Sequence, residues 1–314
     1  MPAYIQTETG GEPREKASFS QAERPIEITI GMPVFNGENF ISEAIESILA
    51  QSFENFELLI SDNASTDRTA EISRAYAARD SRVRYCRNRE NRGASYNFNR
   101  LVRLARGRYF KWAAHDDTLA PEFLDRCIQV LDREPDVVLC YTRTRAIDAR
   151  GNAIRDFNLG LDLSHPLPQV RFHRCLCRAH SLVEVFGLIR TDALRRTLRI
   201  GNFPSSDRIL EAELALLGRF HEVPETLFFN RHHKGQHYVL YPNRRDKIVW
   251  YDPGRAGRLT FPNWRLLWEY LKSTIRHSLR FRSRWSCRLS LLWWIRRNWN
   301  WLLSDLVFMN IKFR

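Results

Sequence analysis

No run of 18 or more apolar residues occurs in this 314-residue chain, so a membrane-spanning helix is not expected. The first 25 residues are polar and charged, without the apolar stretch that an export leader carries. Cysteine is sparse and scattered: six residues, at 86, 127, 140, 175, 177 and 287. Free thiols in a reducing cytosol are the expectation. His173, Cys175, Cys177 and His180 cluster locally, but their spacing fits no standard zinc ligand set. Acidic side chains are scarce in one region. Residues 241–314 hold 16 Lys and Arg against four Asp and Glu, a net of +12 out of +13 for the whole chain. They also hold eight of the nine tryptophans, Trp112 being the exception. The expected organisation is therefore a polar tail over 1–25, a near-neutral body over 26–240, and a basic, Trp-rich helical extension over 241–314.

Within the body, Ile26 to Ile30 alternates apolar and polar residues, which predicts a strand ended by Gly31-Met32-Pro33. From Glu38 to Gln51, Phe40, Ile41, Ala44, Ile45, Ile48 and Leu49 form a helical stripe. Phe56 to Ile60 reads as a buried strand. A polar turn over 61–67 follows, where Ser65 or Thr66 can cap a helix running to about Ala78. Val83 to Cys86 is a short strand, and Asn91-Arg92-Gly93 opens a helix ending near Gly107. Arg108 to Ala114 is the next strand, Pro121 marks a helix start, and Val137 to Tyr141 is a further strand. Strands alternating with helices predict right-handed crossovers and a mostly parallel α/β sheet covered on both faces. Ligands of such sheets sit beyond the carboxyl ends of the strands, and the polar turns at 33–38, 61–67 and 115–118 all fall there.

The last of those turns carries two adjacent carboxylates, Asp116 and Asp117. Carboxylates this close repel each other unless a cation sits between them and their ligand. A hard divalent ion bridging to phosphate oxygens suits that task. A solvated acidic loop is the plain alternative.

Met32-Pro33-Val34-Phe35-Asn36-Gly37-Glu38, the segments 47–53 and 56–67, Asn91-Arg92-Gly93 with Asn99, Gly107-Arg108-Tyr109 and His115-Asp116-Asp117 recur in one order and spacing. From about Ile26 to Gln236 the chain thereby resembles the family-2 glycosyltransferases of GT-A fold. The resemblance implies a Rossmann-like, mostly parallel central sheet with helices on both faces, and an inverting sugar transfer. It places Pro33, Phe35, Asn36 and Glu38 in the nucleotide-sugar-binding loop. Phe35 would lie against the base, or else be a core ring capping the sheet. Asp62 would accept a base imide hydrogen, or else close an Asx turn. Asp67 would support the following helix N-terminus. Arg92 would meet the nucleotide or its phosphates, or else be a solvated charge, and Asn99 would brace the acid-bearing loop. Asp116 would orient ribose or the donor sugar, and Asp117 would ligate Mg²⁺ or Mn²⁺. His115 stands where the family commonly has Asp or Glu, which removes one charge.

Inverting transfer needs a base for the proton of the attacking hydroxyl. Asp207, ahead of the amphipathic run Ile209, Leu210, Leu214 and Leu217, resembles the family's second acidic site. Ser206 stands where a further acid is common, Glu211 is the reserve, and a plain helix-terminal charge is the alternative. Arg231-His232-His233-Lys234-Gly235-Gln236 resembles the family's segment with Arg, one residue, His and then Gly-Gln. There Arg231 or His233 would neutralise the departing diphosphate or complete the metal shell.

In the extension, Trp264, Leu267, Trp268, Leu271, Ile275 and Leu279 share one helical face, and Trp285, Leu289, Leu292, Trp293, Trp299 and Leu303 continue the pattern. A basic amphipathic helix with Trp on its apolar side suits an anionic membrane interface, at about 1 kcal/mol for each Lys or Arg near the surface. Docking onto the body or onto a second copy of the chain is the alternative; nucleic acid fits poorly with a sugar-transfer body. The whole predicts a metal-dependent transfer from a UDP-, dTDP- or GDP-linked sugar to a glycan or lipid-linked acceptor. The expected setting is the cytoplasmic face of a membrane, in building cell-surface polysaccharide. A nucleotidyltransferase would show a Gly-rich basic loop in place of Pro33-Val34-Phe35-Asn36. The remaining rival is a catalytically silent nucleotide-binding scaffold held to membrane or nucleic acid by its tail.

Overall fold

The computed structural model describes residues 25–157, 161–177 and 182–310. The expected polar tail, all but Pro25, and His180 of the local His/Cys cluster lie outside the described residues. Nine strands form one sheet: β1 (Ile28–Val34), β2 (Phe56–Asp62), β3 (Val83–Arg87), β4 (Tyr109–Trp112), β5 (Thr118–Leu119), β6 (Val137–Ile147), β7 (Ala153–Asp156), β8 (Leu188–Arg190) and β9 (Arg219–Arg231). Their order is β3-β2-β1-β4-β8-β6-β9-β5, with β7 paired to β6. Only β5, β7 and β8 run against the other six, so the sheet is mixed but mostly parallel, as in the GT-A, Rossmann-like fold.

All seven residues of β1 and all seven of β2 are buried. A strand covered on both faces is read by burial rather than by alternation, and its polar residues must find partners inside. Thr29 Oγ1 donates to Glu57 Oε1 at 2.7 Å, and Arg84 pairs with the other oxygen of Glu57. β1 does not end at Gly31-Met32-Pro33; it runs on to Val34, in register with β2 as far as Val34 opposite Asp62. Val34 O accepts from Asn63 N on the β2 side, while Gly31 O accepts from Ala113 N on the β4 side. By alternation Pro33 faces the β4 side, where pairing has already stopped at Gly31 opposite Trp112. The missing N–H of Pro33 therefore breaks no ladder bond.

Helices α1 (Ile41–Leu49), α2 (Thr69–Arg79), α3 (Ala94–Leu104) and α4 (Phe123–Arg133) link the first strands. Neither Ser65 nor Thr66 caps α2. Its N-cap position is Arg68, without a side-chain bond, and Asp67 just before it accepts from Thr69 N at 3.1 Å and Thr69 Oγ1 at 2.6 Å. Further on come α5 (Pro168–Cys177), α6 (Thr191–Arg195), α7 (Asp207–Leu217), α8 (His237–Leu240), α9 (Arg244–Tyr251), α10 (Pro262–Arg276) and α11 (Phe281–Asn310, kinked at Asn298). α10 and α11 pack against each other and against α7 and α5. His173, in α5, meets Ser290 Oγ of α11 at 3.1 Å, and among the described residues no three His, Cys, Asp or Glu converge to hold an ion.

One buried acid ties extension to body. Glu213 of α7 accepts from Leu198 N at 2.5 Å and pairs with Arg276 of α10. Glu213→Ala would leave the Leu198 N–H unsatisfied and Arg276 with Glu269 alone, and a cost of about 3 kcal/mol in urea unfolding is expected. Removing Glu71 from its exposed pair with Arg68 should leave the midpoint unmoved. Equal midpoints for the two variants would show that Glu213 does not anchor the extension.

Candidate active site

β1 lies between β2 and β4, and all three are parallel, so their carboxyl ends open on one rim. The loop after β1, the turn after β2 and the acid loop after β4 are therefore neighbours. Their closest approach needs a glycine. A Cβ on Gly37 would stand 2.6 Å from His115 Cδ2 and 2.7 Å from Val34 Cγ2.

The first two loops hold each other by side-chain-to-backbone bonds. Asn36 N donates to Ser65 Oγ, and Asn36 Oδ1 accepts from Thr66 N at 2.8 Å. Glu38 N donates to Asp67 Oδ2, and Glu38 Oε2 accepts from Arg68 N, both at 3.0 Å. Asn36 also sits at φ 53°, a strained conformation for a non-glycine residue. Burial works against the Asp67 carboxylate, but its bonds from Thr69 and Glu38 outweigh that and hold it below the usual range. Phe35 is 38% exposed, so it is no core ring; its face is open at the rim.

Asp62 is fully buried and faces inward. Its Oδ1 accepts from Ser65 N at 2.8 Å and its Oδ2 from Tyr85 OH at 2.7 Å, with Arg87 Nε 3.5 Å away. The bond to Ser65 N reaches three residues on, one further than an Asx turn, and ties the turn after β2 to the strand end. Beside it, Asn63 Oδ1 accepts from Arg92 N at 3.0 Å, which draws the 91–93 loop to the same rim. Arg92 itself is exposed, its guanidinium 3.8 Å from the Tyr96 ring centroid. Gly93, at φ 80°, backs onto Tyr251 so closely that a Cβ would lie 2.5 Å from the Tyr251 carbonyl oxygen.

Asp116 and Asp117 are both buried. Asp117 Oδ1 accepts from Arg231 N at 2.8 Å, and Asn230 Nδ2 reaches both its oxygens at 3.1 and 3.3 Å. Burial and the charge of Asp116 push the Asp117 carboxyl well above the carboxylate range. Burial also opposes ionisation of Asp116, but the bond from His233 and the charges of His115 and His233 hold it low. His233 Nδ1 accepts from Gly235 N at 3.1 Å, so the ring proton belongs on Nε2, which donates to Asp116 Oδ2 at 2.9 Å. As placed, His233 steadies Asp116 beside the acid pair. Phe40 packs 4.5 Å from the His233 ring.

Arg231 is not in a solvated loop. It ends β9, paired with Ile147, and is 1% exposed. Its Nε donates to the Asp116 carbonyl at 2.8 Å, its Nη2 lies 2.5 Å from Glu43 Oε1, and its plane stands 4.9 Å over the Phe40 ring. Through Nε it braces the acid loop, while Nη2 makes no hydrogen bond beyond its ion pair with Glu43. Asn99 also moves from its expected place. It bonds both N and O of Ile200, bracing the segment before α7 in place of the acid loop. Asp207 begins α7, where it accepts from its neighbour Arg208 N at 3.0 Å. Burial and the charge of Asp207 raise the Tyr251 hydroxyl, and the Tyr251 backbone abuts Gly93. Glu211, one turn on, is fully buried inside α7's packing.

Sequence reasoning missed Glu43, Asn230 and Lys111. Lys111, on β4, is wholly buried, 4.3 Å over the Phe123 ring and donating to the Phe186 carbonyl; burial lowers its ammonium to about 7. Its place on the strand that delivers the acids was the available signal.

Residues 29–198 match the family described as Glycosyl transferase family 2, more than half of the chain. Asp207, Arg231 and His233 lie beyond that match. Chondroitin synthase of Escherichia coli is 32% identical over 141 residues, 45% of this chain and 20% of that protein. An uncharacterized glycosyltransferase of Rickettsia prowazekii is 30% identical over 213 residues, 63% of this chain and 65% of its own length. The chain thus spans less than two thirds of these curated relatives. Among solved structures, TarS 1–349 of S. aureus in complex with UDP-GlcNAc superposes with a TM-score of 0.62 at 14% identity, covering 87% of this chain and 73% of that one. The mannosyltransferase PcManGT of Pyrobaculum calidifontis, in complex with GDP-Man and Mn²⁺, does so with a TM-score of 0.52 at 16% identity, covering 88% and 76%.

Arg231→Met removes every bond that the guanidinium makes to the acid loop and Glu43. An unfolding cost of about 3–5 kcal/mol is expected, with Arg231→Lys restoring less than half, because an ammonium cannot span those directions. Unchanged stability in both variants would return Arg231 to the role of a free cation.

Proposed function

The chain belongs to glycosyl transferase family 2, and from that premise we propose that it moves a sugar from a UDP-, dTDP- or GDP-linked donor to a hydroxyl of a glycan or lipid-linked acceptor. One observation carries the reading: the buried pair Asp116–Asp117 sits at the same strand-end rim as the exposed Phe35 and Arg92. The UDP-GlcNAc of TarS and the GDP-Man of PcManGT support a nucleotide-sugar donor, and the name of chondroitin synthase supports a role in building polysaccharide.

In this reading the acceptor oxygen attacks the anomeric carbon as the bond to the diphosphate oxygen breaks, inverting the centre. Asp207 takes the hydroxyl proton. Phe35 offers its ring to the base and Arg92 its guanidinium to the phosphates. Asn36 and Glu38 keep the first loop in shape, Asp62 closes the turn beneath it, and Asp116 orients ribose or sugar, itself held by His233. Asp117, with Asp116, would hold Mg²⁺ or Mn²⁺, which when bound supplies positive charge opposite the departing diphosphate. The donor set fits. Such ions need one or two protein carboxylates, with phosphate oxygens and water completing the shell. The adjacency of two buried carboxylates, and the Mn²⁺ of PcManGT, support the same ion class.

Full-chain protein with Mg²⁺ or Mn²⁺ is expected to release nucleoside diphosphate from one member of a nucleotide-sugar panel, and a chelator should return release to background. Asp117→Ala should lower kcat by about 10³. Asp207→Asn should lower it by about 10²–10⁴ with donor affinity kept. Metal-dependent nucleotide binding without turnover would favour the silent scaffold; no binding of any nucleoside diphosphate would end the enzyme reading.

A further inference from the structure

α10 turns its more polar side inward. Glu269, Tyr270, Ser273 and Thr274 are buried, whereas Trp264, Trp268 and Ile275 are 42%, 52% and 59% exposed. α11 is apolar on two opposite sides. Cys287, Leu291, Trp294 and Leu302 pack inward at spacings of three, four and eight. Trp285, Leu289, Leu292, Trp299 and Leu303, displaced by about half a turn, remain 46–62% exposed. A helix apolar on every side is normally covered on every side, and a continuous patch of this kind differs from scattered surface residues. Between the helices runs a groove of about 420 Å³ lined by Trp264, Trp268, Leu271, Trp285, Leu289 and Leu292.

The charges around this face have one sign. Residues 281–310 carry five arginines, at 282, 284, 288, 296 and 297, against Asp305 alone. Asp305 is buried and paired with Arg244. The acid of α10, Glu269, is buried among Arg265, Lys272 and Arg276. We infer that the Trp/Leu face of α10 and α11 seats in the interface of an anionic lipid bilayer, with its arginines on the headgroup phosphates. The helices lie along the surface; among the described residues no helix is long and apolar enough to cross a membrane. A second copy meeting this face with its own would press arginines on arginines in a low-dielectric contact. A nucleic-acid strand would stack on the tryptophans but leave Leu289, Leu292 and Ile275 uncovered.

Trp264 and Trp268 also line a crevice of about 340 Å³ with Asn202, Phe203 and Pro204, just ahead of Asp207. On the sugar-transfer reading, a bilayer on this face brings a lipid-linked acceptor beside the proposed base. The docking itself does not depend on that reading.

Full-chain protein is sedimented, without nucleotide, with vesicles of phosphatidylcholine alone or mixed with phosphatidylglycerol. Partitioning at least about tenfold stronger into the anionic vesicles is expected, falling as salt rises. Leu289→Glu with Leu292→Glu, both at outward positions, should cut binding about tenfold with the thermal melt unchanged. Arg282→Glu with Arg296→Glu should remove the preference for anionic lipid. Equal partitioning of the wild type into both vesicle types, or no loss in either double variant, overturns the proposal. So does absence of vesicle binding in a dimer that the Leu289/Leu292 variant dissociates, which would make a second copy the occupant.

Discussion

The oxygens of Asp117 are met by an amide, Asn230 Nδ2, and a backbone N–H, that of Arg231, while the one guanidinium at hand is turned to the Asp116 carbonyl and to Glu43. Two adjacent carboxylates are thus packed beneath the rim with hydrogen-bond donors but without a full countercharge. Their ionisations diverge as a result, Asp116 held down and Asp117 driven up. Burying a charge costs free energy unless it is paired. The arrangement tolerates that cost because β9 and α1 clamp the loop mechanically: Arg231 reaches from the end of β9 to Glu43 on α1 and crosses the acid loop on the way. A shell that fixes carboxylates while leaving their charge uncompensated is suited to a ligand that brings positive charge with it.

The rest of the rim is rigid for a different reason. The loops after β1 and β2 are joined by reciprocal bonds between side chain and backbone, Asn36 with Ser65 and Thr66, Glu38 with Asp67 and Arg68. Each bond is worth about 1 kcal/mol net, yet together they fix a loop whose Asn36 adopts a strained φ. On the far side, Ser95 and Asn99 of α3 bind Ile200, and Ser206 Oγ donates to the Gly201 carbonyl. The segment leading to Asp207 is therefore tied to the helix that begins at the Arg92 loop. The Arg92 loop and the Asp207 segment are set by the same α3.

The parallel half of the fold was legible because strand and helix periods there are strong and the crossovers regular. β2, β3, α1 and α3 fall where the pattern puts them, within about two to three residues. β5, β7 and β8 were not legible, being four residues or shorter, and β5 and β8 are paired to strands distant in sequence. β9 was hidden by its own chemistry. Pro224 interrupts its apolar pattern, and the register shifts there, with Thr142 opposite Val223 and Arg143 opposite Thr226, so the proline falls at an irregularity where it is tolerated. Missing β9 made Arg231 look solvated. Residue type foretold a cation near the acids; only the strand showed that it is buried and braces the acid loop. Asp62 carries the same lesson, since its local sequence does not foretell the Tyr85 hydroxyl and the Arg87 guanidinium that β3 brings to it.

The extension shows what an amphipathic stripe can and cannot tell. The period placed Trp264, Trp268 and Ile275 on one face of α10 correctly, but the usual inference, that the apolar face packs inward, reverses here. α10 is held by polar anchors together with a few apolar ones: Glu213 grips Arg276, Glu269 gathers Arg265, Lys272 and Arg276, Leu266 is buried, and Tyr270 meets Phe172 edge-on. Because those contacts lie on the polar side, the tryptophans are left outward without loss of docking. A stripe therefore fixes which residues travel together, and the position of buried charges decides which way they face. Where acids are as scarce as in residues 241–314, the few that exist, Glu269 and Asp305, are drawn inward by neighbouring cations, and the outer surface becomes apolar and basic at once.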